Sequence, residues 1–519
     1  MVKIFIDGSE LEAKEGTTVL KAAELAGIPI PHFCFHSAFP PEGSCRMCLV
    51  EIEGLPKLEL ACSTVVREGL KVLTKSQKVI EARKGVLEFL LAEHPLDCPI
   101  CDKAGDCRLQ DYYQEYGLFE SHFDEDKEKR EKKVKIGKSL ILDRERCILC
   151  TRCVRFLAGV TKTEELGVIN RGLHSEIDIY EAQPVLNNYS GNLAEICPVG
   201  AITDEDFRFK TRNWFLFSGE SICPLCSRGC NIKIEYHPGF PRIPRIKRVY
   251  RVKALENKEV NGFWICDFGR YGYYYLDQGR LDKIVINDKR MAKEPSWANA
   301  LTFIIEKIKR LYHMKKTSAV AVMANTWLSN EELFLLRKIF KEDLKIEKMY
   351  FADPKPGEGD TFLLTSERSP NRRGAQEIGL DISLPSLEGL AQGIEFLFAF
   401  GSSLSEVFSL PDVRNALERI ETKVLFTPYS SDLNSLFEIV LPSALIAEKG
   451  GSLTNTDGKV QSFSPVLEPP GESLAEWRML VDLAKELGIN FGYYRQFSSP
   501  DTIFAEMGKE ISFFRKKSD

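Results

Sequence analysis

Fifteen cysteines constrain this chain more than any other feature. All lie between Cys34 and Cys266, and none follows Cys266 in a sequence of 519 residues. They come in four groups built on Cys-x2-Cys units. Such spacing makes a loop turn back on itself around something shared. Disulfide scaffolds are short secreted chains with cysteines spread through the fold, so clustered thiols in a long chain point to metal. The first group is Cys34, Cys45, Cys48 and Cys62. The second is Cys98, Cys101 and Cys107. The third is Cys147, Cys150 and Cys153 with the distant Cys197, and the fourth is Cys223, Cys226, Cys230 and Cys266.

Each spacing suggests a different cage. A loop with three thiolates and a later fourth is how a [2Fe–2S] cluster is gripped, so the Cys34 group is read that way, with Gly43 and Ser44 giving freedom beside Cys45. Two matched Cys-x2-Cys pairs would suit zinc better. The second group has three thiolates where a [4Fe–4S] cube needs four ligands, and His94 is the nearest residue able to supply the fourth. The competing reading makes His94 a helix-end residue interacting with the dipole. The third group is half of a two-cluster ferredoxin pattern, whose runs read C-x2-C-x2-C-x3-C-P. Leu157, Asn187, Ser190 and Leu193 occupy the positions of the missing cysteines. The surviving four then hold one cube. The fourth group opens with gaps that suit a cube and also open many zinc sites. Fifteen thiolates and one imidazole thus fill one [2Fe–2S] and three [4Fe–4S] clusters, a set that moves electrons. A redox-silent zinc scaffold is the opposing class.

The totals exclude other functions. With 44% hydrophobic and 28% charged residues the chain is of globular type, long enough for roughly three or four domains. A net charge of -5 and a pI near 6.0 give no electrostatic footprint for nucleic acid. No apolar run reaches the ~18–20 residues of a membrane helix, and Met-Val-Lys-Ile-Phe-Ile-Asp is no secretion signal. A cytoplasmic chain is expected.

In order, residues 1–33 predict a hairpin over Val2–Ile6 and Leu11–Ala13 turning at Asp7-Gly8. A helix capped by Thr17 or Thr18 follows and ends at Gly27. Residues 77–93 predict an amphipathic helix stopped by Pro95. The charged run 124–138 reads as a solvated linker or surface helix, and His237–Pro244 as a structural turn region. From about residue 280 strands alternate with helices: 319–323, a helix from Asn330, 395–400, 423–426 and 438–441. That pattern is an open α/β layer. Gly401 is read as structural and 450–458 as a loop. His313 is placed on an exposed helix face. No phosphate loop or clear dinucleotide fingerprint is present.

The string His94-Pro-Leu-Asp-Cys-Pro-Ile-Cys-Asp-Lys-Ala-Gly-Asp-Cys-Arg-Leu-Gln-Asp111, with the other three groups, resembles the large iron–sulfur subunit of respiratory complex I, the family of NADH:quinone oxidoreductase G subunits. Asn325–Glu332 and Glu448–Gln461 resemble that family's molybdopterin-oxidoreductase-like region, which is shorter here than the family leads one to expect.

The resemblance implies an α/β and α+β multi-domain chain. Its parts would be a β-grasp ferredoxin-type domain (1–76), a His/Cys3 cube domain (77–123), a ferredoxin-like domain with one cluster lost (139–212), a further cube domain (216–272) and a shortened, non-catalytic α/β domain (280–519) holding no molybdopterin. It also implies an electron wire. A flavin/NADH-binding subunit, a small 2Fe–2S subunit and a ferredoxin-like two-cluster subunit would be partners, with quinone as the final acceptor. The chain would meet the membrane only through the complex, on the cytoplasmic side of the inner membrane, and the Cys223 cluster would lie off the main path. NAD-linked hydrogenases and formate dehydrogenases share the cluster order. They generally keep both cubes of the ferredoxin segment, and a hydrogenase needs further cysteines.

Overall fold

A computed structural model describes residues 1–117, 120–180, 183–239, 248–287, 295–382, 393–401 and 411–515. It divides into two compact units, Met1–Leu216 and Phe217–Asp519.

The first unit opens with strands β1 (Val2–Ile6) and β2 (Ser9–Ala13), paired antiparallel with Ile4 opposite Leu11. Asp7 and Gly8 both take positive φ, as a two-residue hairpin turn requires. Helix α1 (Val19–Leu25) starts at Thr18, whose hydroxyl accepts from the Lys21 amide at 3.3 Å. Strands β3 (Leu49–Ile52), β4 (Glu59–Leu60) and β5 (Leu70–Leu73) complete a mixed sheet in the order β2-β1-β5-β3-β4. Because β1 and β5 run parallel, the chain must cross over between them, and α1 lies in that crossover. Its Val19, Leu20 and Ala23 share one core with Ile4, Ile6, Val50 and Val72.

Helix α2 (Gln77–Glu93) is capped by Ser76 and stops at His94, which is extended (φ −66, ψ 129) as a residue before proline must be. Inside, Arg83 donates to the Tyr116 hydroxyl at 3.0 Å and the Leu49 carbonyl at 3.2 Å. This ties α2 to the sheet and to helix α3 (Arg108–Tyr116).

The charged run 124–138 forms no helix and is mostly exposed, as a solvated linker would be. It is extended, ends in β6 (Val134–Lys135), and is strapped down by its charges. Lys127 donates to the Leu91 and Ala92 carbonyls, the unsatisfied end of α2. Arg130 holds the Leu173 and Ser175 carbonyls, and Lys132 pairs with Asp97 and Glu145. The remaining elements of this unit are short: β7 (Leu140–Leu142), α4 (Arg152–Phe156), the hairpin β8 (Leu166–Ile169) and β9 (Glu176–Ile179), α5 (Asn192–Ile196), and β10 (Ile202–Asp204) beside β7.

The second unit begins with an antiparallel sheet of β11 (Phe217–Ile222), β12 (Asn231–Tyr236) and β13 (Val249–Ala254), followed by the short helix α6 (Asp267–Tyr271). The predicted turn at His237–Pro244 lies from residue 240 onward outside the described residues.

Beyond it stands the α/β layer: β14 (Val285–Ile286), α7 (Trp297–His313), β15 (Val320–Ala324), α8 (Asn330–Leu336), β16 (Met349–Phe351), β17 (Phe396–Phe400), β18 (Thr422–Thr427) and β19 (Ile439–Pro442). The sheet order is β14-β19-β18-β17-β15-β16, parallel except for β14. Strand order reverses between β15 and β17. Successive strand residues feed two cores, Val322, Phe398 and Phe426 on one side, Ala321, Leu397 and Leu425 on the other. A sheet covered on both faces explains its nearly continuous apolar strands.

Ser329 and Glu332 close a capping box at the start of α8, and His313 is exposed at the end of α7. Gly401 has φ +132, and a Cβ there would come 2.4 Å from Asn325 Oδ1, so its role in the strand end is structural. Residues 451–463 form a hairpin, β20 (Gly451–Thr454) and β21 (Val460–Phe463), where a loop was expected over 450–458. Only Asn455–Gly458 turns.

Candidate metal centres

In the first set Cys34, Cys48 and Cys62 are buried and Cys45 is half-buried. Cys34 follows the loop after α1, Cys45 and Cys48 precede β3, and Cys62 follows β4. Positive φ at Gly43 and Arg46 curls the middle loop. The amides of Phe33 and Cys34 both donate to Cys45 Sγ at 3.4 Å. Hydrogen bonding within the pairs Cys34–Cys45 and Cys48–Cys62 raises the Cys45 and Cys48 thiols, burial adding to it, and lowers their partners Cys34 and Cys62.

The second set gathers where α2 ends. His94 Nδ1 is buried without a hydrogen-bond partner, and burial pushes the ring down to about 4, leaving it neutral at ordinary pH. A neutral imidazole with an unspent nitrogen is what a metal ligand requires. His94, Cys98 and Cys107 line one cavity. Cys98 opens a single tight turn, and Cys107 stands at the start of α3. Asp97 is gripped by both arms of Arg146, at 3.0 and 2.6 Å, which fixes the His94–Cys98 loop. A Cβ at Gly200 would lie 2.2 Å from Cys101 Sγ, so only glycine lets that backbone pass. Burial raises the Cys101 thiol and pushes Cys107 up to about 11.

In the third set Cys150, Cys153 and Cys197 are buried and Cys147 is half-buried. Cys147, Cys150, Cys153 and Cys197 line one small cavity whose other walls include Leu142, Ile148, Ile177, Val199 and Ile202. Leu149 and Thr151 both adopt left-handed backbone, which turns the chain sharply between the three nearby cysteines. The Leu149 amide donates to Cys147 Sγ at 3.4 Å. Burial, then neighbouring thiols, pushes Cys147 up to about 12 and Cys150 to about 11. Where a second ferredoxin cluster would sit, Leu157 and Leu193 are fully buried and Ser190 is 2% exposed. Half-buried Asn187 hydrogen-bonds Glu165 at 2.9 Å.

The fourth set uses the β11–β12 hairpin. Cys223 follows β11, Cys230 precedes β12, and the Cys223 amide donates to the Cys230 carbonyl at 2.9 Å. Cys266 caps α6, its sulfur accepting the Gly269 amide at 3.3 Å. All four are buried. Burial followed by the other sulfurs raises Cys223 and Cys230 far above the usual thiol range, and burial takes Cys266 to about 12.

The ligand to a metal is the thiolate, so iron entering these sets would displace thiol protons. Among the described residues no three His, Cys, Asp or Glu side chains close on a point that could hold one metal ion. The sets are instead gathered by shared cavity walls and amide-to-sulfur hydrogen bonds. Sulfur donors, an orphaned imidazole nitrogen and amides aimed at sulfur all suit iron–sulfur ligation, in which such hydrogen bonds tune potential. Sequence reasoning missed the cations woven among the cysteines: Arg108, Arg152 and Arg155 follow or separate them in the sequence, which was the available signal. A cavity of about 1060 Å³ lies elsewhere. It borders Glu331, Lys449, Trp477 and Phe504 and touches no cysteine.

These features define an iron–sulfur protein with a doubly wound α/β region. Comparison with known proteins agrees. Residues 1–77 match the 2Fe-2S iron-sulfur cluster binding domain, and 83–122 the NADH-ubiquinone oxidoreductase-G iron-sulfur binding region. Residues 137–203 match the ferredoxin-like domain of NADH-quinone oxidoreductase subunit 3, and 355–486 molybdopterin oxidoreductase. The G subunit of NADH-quinone oxidoreductase from Rickettsia felis is 40% identical over 342 residues, 66% of this chain and 49% of that one. The NADH-ubiquinone oxidoreductase 75 kDa subunit of Reclinomonas americana is 38% identical over 356 residues, 69% and 50% of the two chains.

Over about two thirds of its own length the chain is similar to NADH-quinone oxidoreductase G subunits, and it spans about half the length of the curated relatives it matches. Among solved structures, an NAD+-reducing [NiFe]-hydrogenase gives a TM-score of 0.38 at 35% identity, covering 40% of this chain and 90% of that one. Acetylene hydratase from Pelobacter acetylenicus gives 0.35 at 10% identity, covering 55% and 71%.

Proposed function

We propose that this chain is an electron relay of an NADH:quinone oxidoreductase, carrying single electrons from a flavin/NADH-binding subunit toward quinone. Cys34, Cys45, Cys48 and Cys62 would hold a [2Fe–2S] cluster. His94, Cys98, Cys101 and Cys107 would hold a [4Fe–4S] cluster, as would Cys147, Cys150, Cys153 and Cys197, and Cys223, Cys226, Cys230 and Cys266. When bound, such clusters supply reversible one-electron chemistry. The residues themselves fix the ligand loops, exclude water from the buried sulfurs and direct amide hydrogens at them.

The observation that carries the reading is continuity within the first unit, where three ligand sets are hydrogen-bonded to one another. The Arg108 amide, directly after Cys107, donates to the Pro198 carbonyl, directly after Cys197, at 3.2 Å. Arg155 donates to the carbonyls of both Cys34 and Cys150. Direct links of this kind suit a wire rather than three separate structural metals. Its partners would be the flavin/NADH-binding subunit, a small 2Fe–2S subunit and a ferredoxin-like two-cluster subunit. Among the described residues no helix is long and apolar enough to cross a membrane. Attachment to the cytoplasmic face of the inner membrane would then be through the complex.

The α/β layer would bind no molybdopterin. In doubly wound sheets ligands enter at the carboxyl ends of the strands where their order reverses, here between β15 and β17. In its described part that crevice is lined by Tyr275, Trp327, Gly401 and Pro428 and leaves about 10 Å³, roughly room for one water. Those residues do not fit a pterin.

The test is metal content on anaerobically prepared protein. One [2Fe–2S] and three [4Fe–4S] clusters require about 14 iron atoms with matching sulfide, and several paramagnetic signals on reduction. Half that iron with stoichiometric zinc overturns the four-cluster reading. Stoichiometric pterin with molybdenum or tungsten overturns the reading of the α/β layer.

A further inference from the structure

Arg152 is 4% exposed, and among the described residues it pairs with no carboxylate. Its guanidinium donates to the Phe35 carbonyl and, at 3.2 Å, to the Ile196 carbonyl, while its Nε is buried without a partner. Phe35 is next to Cys34, and Ile196 is next to Cys197. The sulfurs whose charge Arg152 feels belong to both sets, Cys150 and Cys197 on one side and Cys34 on the other.

Arg155 stands beside it. It donates to the carbonyls of Cys34, Pro40 and Cys150, and Glu42 approaches it no closer than 3.9 Å. Arg108 adds a third cation, bonded to His32 Nε2 at 2.9 Å. His32 donates through Nδ1 to the Ile30 carbonyl, so Nε2 accepts and the ring is neutral.

Burying a cation costs several kcal/mol unless an anion answers it. Around Arg152 the neighbours are carbonyl oxygens, neutral rings and other cations, and a carboxylate near this group, Glu42, stands 3.9 Å from Arg155. The geometry points to an anion on each side, and clusters ligated by four thiolates are net negative. We infer that Arg152, reinforced by Arg155, is a shared counter-cation of the clusters held by the Cys34 and Cys147 sets, raising the reduction potential of both. It is a positioning residue and touches no reacting atom of a substrate. A fixed positive charge in a dry site favours the state with one more electron, just as it favours the ionised form of an acid. Because both clusters lean on one charge, their potentials are tied together. This inference rests on the cluster assignments proposed above.

The experiment is a redox titration of the two paramagnetic signals in the intact, metallated protein, with iron and sulfide measured on each sample. Arg152→Gln keeps a hydrogen-bond donor and loses the charge; both midpoint potentials should shift downward at unchanged iron. Arg152→Lys keeps the charge without the two-armed grip and should restore most of the shift. Unchanged potentials in fully metallated Arg152→Gln overturn the inference. So does a Lys variant that falls as far as Gln, because geometry rather than charge would then be responsible. If Arg152→Gln fails to assemble, Arg155→Gln is read instead. A smaller downward shift of the same two signals supports the inference, and no shift overturns it. Wild-type protein lacking these signals would sink the cluster assignment itself.

Discussion

The short cysteine-bearing elements and the α/β layer keep their shape by different means. Helix α5 has five residues and α4 runs its five into a π-helical turn over Leu157–Thr161, both too short for a helix to persist on its own. Besides the burial of Phe156 and Leu193, a cluster bound through Cys153 within one and Cys197 at the end of the other would hold them. The α/β layer carries its own reason to fold. Its strands place Phe396, Phe398 and Phe400 in one continuous core with Phe340 and Phe426, and each of these is at most 4% exposed. On the proposed assignment the difference is one of where stability would reside: in the ligand for one region, in apolar burial for the other.

Metal removal tests that contrast most severely. Chelating and oxidising the clusters away should raise amide exchange in α4, α5 and the Cys98–Cys107 loop by about 10²-fold or more, while β15, β17 and β18 stay protected. Equal loss of protection in both regions would erase the distinction.

Single ligands come next. His94→Ala should lose or labilise one cube, with about four irons and one paramagnetic signal fewer. His94→Cys should retain the cube at a lower potential, since a thiolate adds negative charge where the imidazole has none. Unchanged iron and signals in His94→Ala would return His94 to the role of a helix-end residue.

The opposite lever is Phe398→Ala. It removes a ring packed 5.0 Å from Phe340 and 4.6 Å from Phe396 and should destabilise the α/β layer by about 3–5 kcal/mol. The iron–sulfur signals of the first unit should keep their potentials. A urea midpoint for the layer that does not move would show that its core is not what holds it.

Much of this architecture was legible in the sequence, and the parts that were not share a cause. Asp7-Gly8, Thr18, Pro95 and the apolar strands act locally, so pattern alone placed them. The β20–β21 hairpin was hidden because its strands carry buried polar residues: Ser452 and Thr454 are satisfied by Glu331, Asn330 and Asn371, about 80–120 positions away. The run 124–138 is mostly exposed as read, and its anchoring was hidden because the partners, the Leu91 and Ala92 carbonyls and Asp97, are themselves distant in sequence. Of the candidate site, the spacing of the cysteines was readable and the cations between them were not. An arginine signals a counter-charge only once the absence of a carboxylate around it can be seen.

The smallest effect belongs to the carboxylate at the heart of the α/β layer. Glu331 is 2% exposed. It accepts from the Ser452 amide at 2.9 Å and the Ser452 hydroxyl at 2.7 Å. Burial pushes it up to about 7, against the pull of those two bonds. Below about pH 4.5 it is protonated in folded and unfolded chains alike. Between about 4.5 and 7 the unfolded chain has released the proton and the folded chain still holds it, so stability falls as pH rises and levels off above 7. Burial raises Glu476 to about 7 as well, beside Lys449 and Glu332, and the same sign applies to it. Glu331→Gln keeps the shape and can still meet both Ser452 groups, so it should remove only its own share, on the order of 2 kcal/mol between pH 5 and 8. The urea midpoint of the β15–β19 amides, followed by hydrogen exchange at several pH values, should therefore decline less steeply in the variant, the remaining slope being that of Glu476. An identical slope in both proteins would mean that Glu331 stays ionised when folded, its two bonds to Ser452 outweighing its burial.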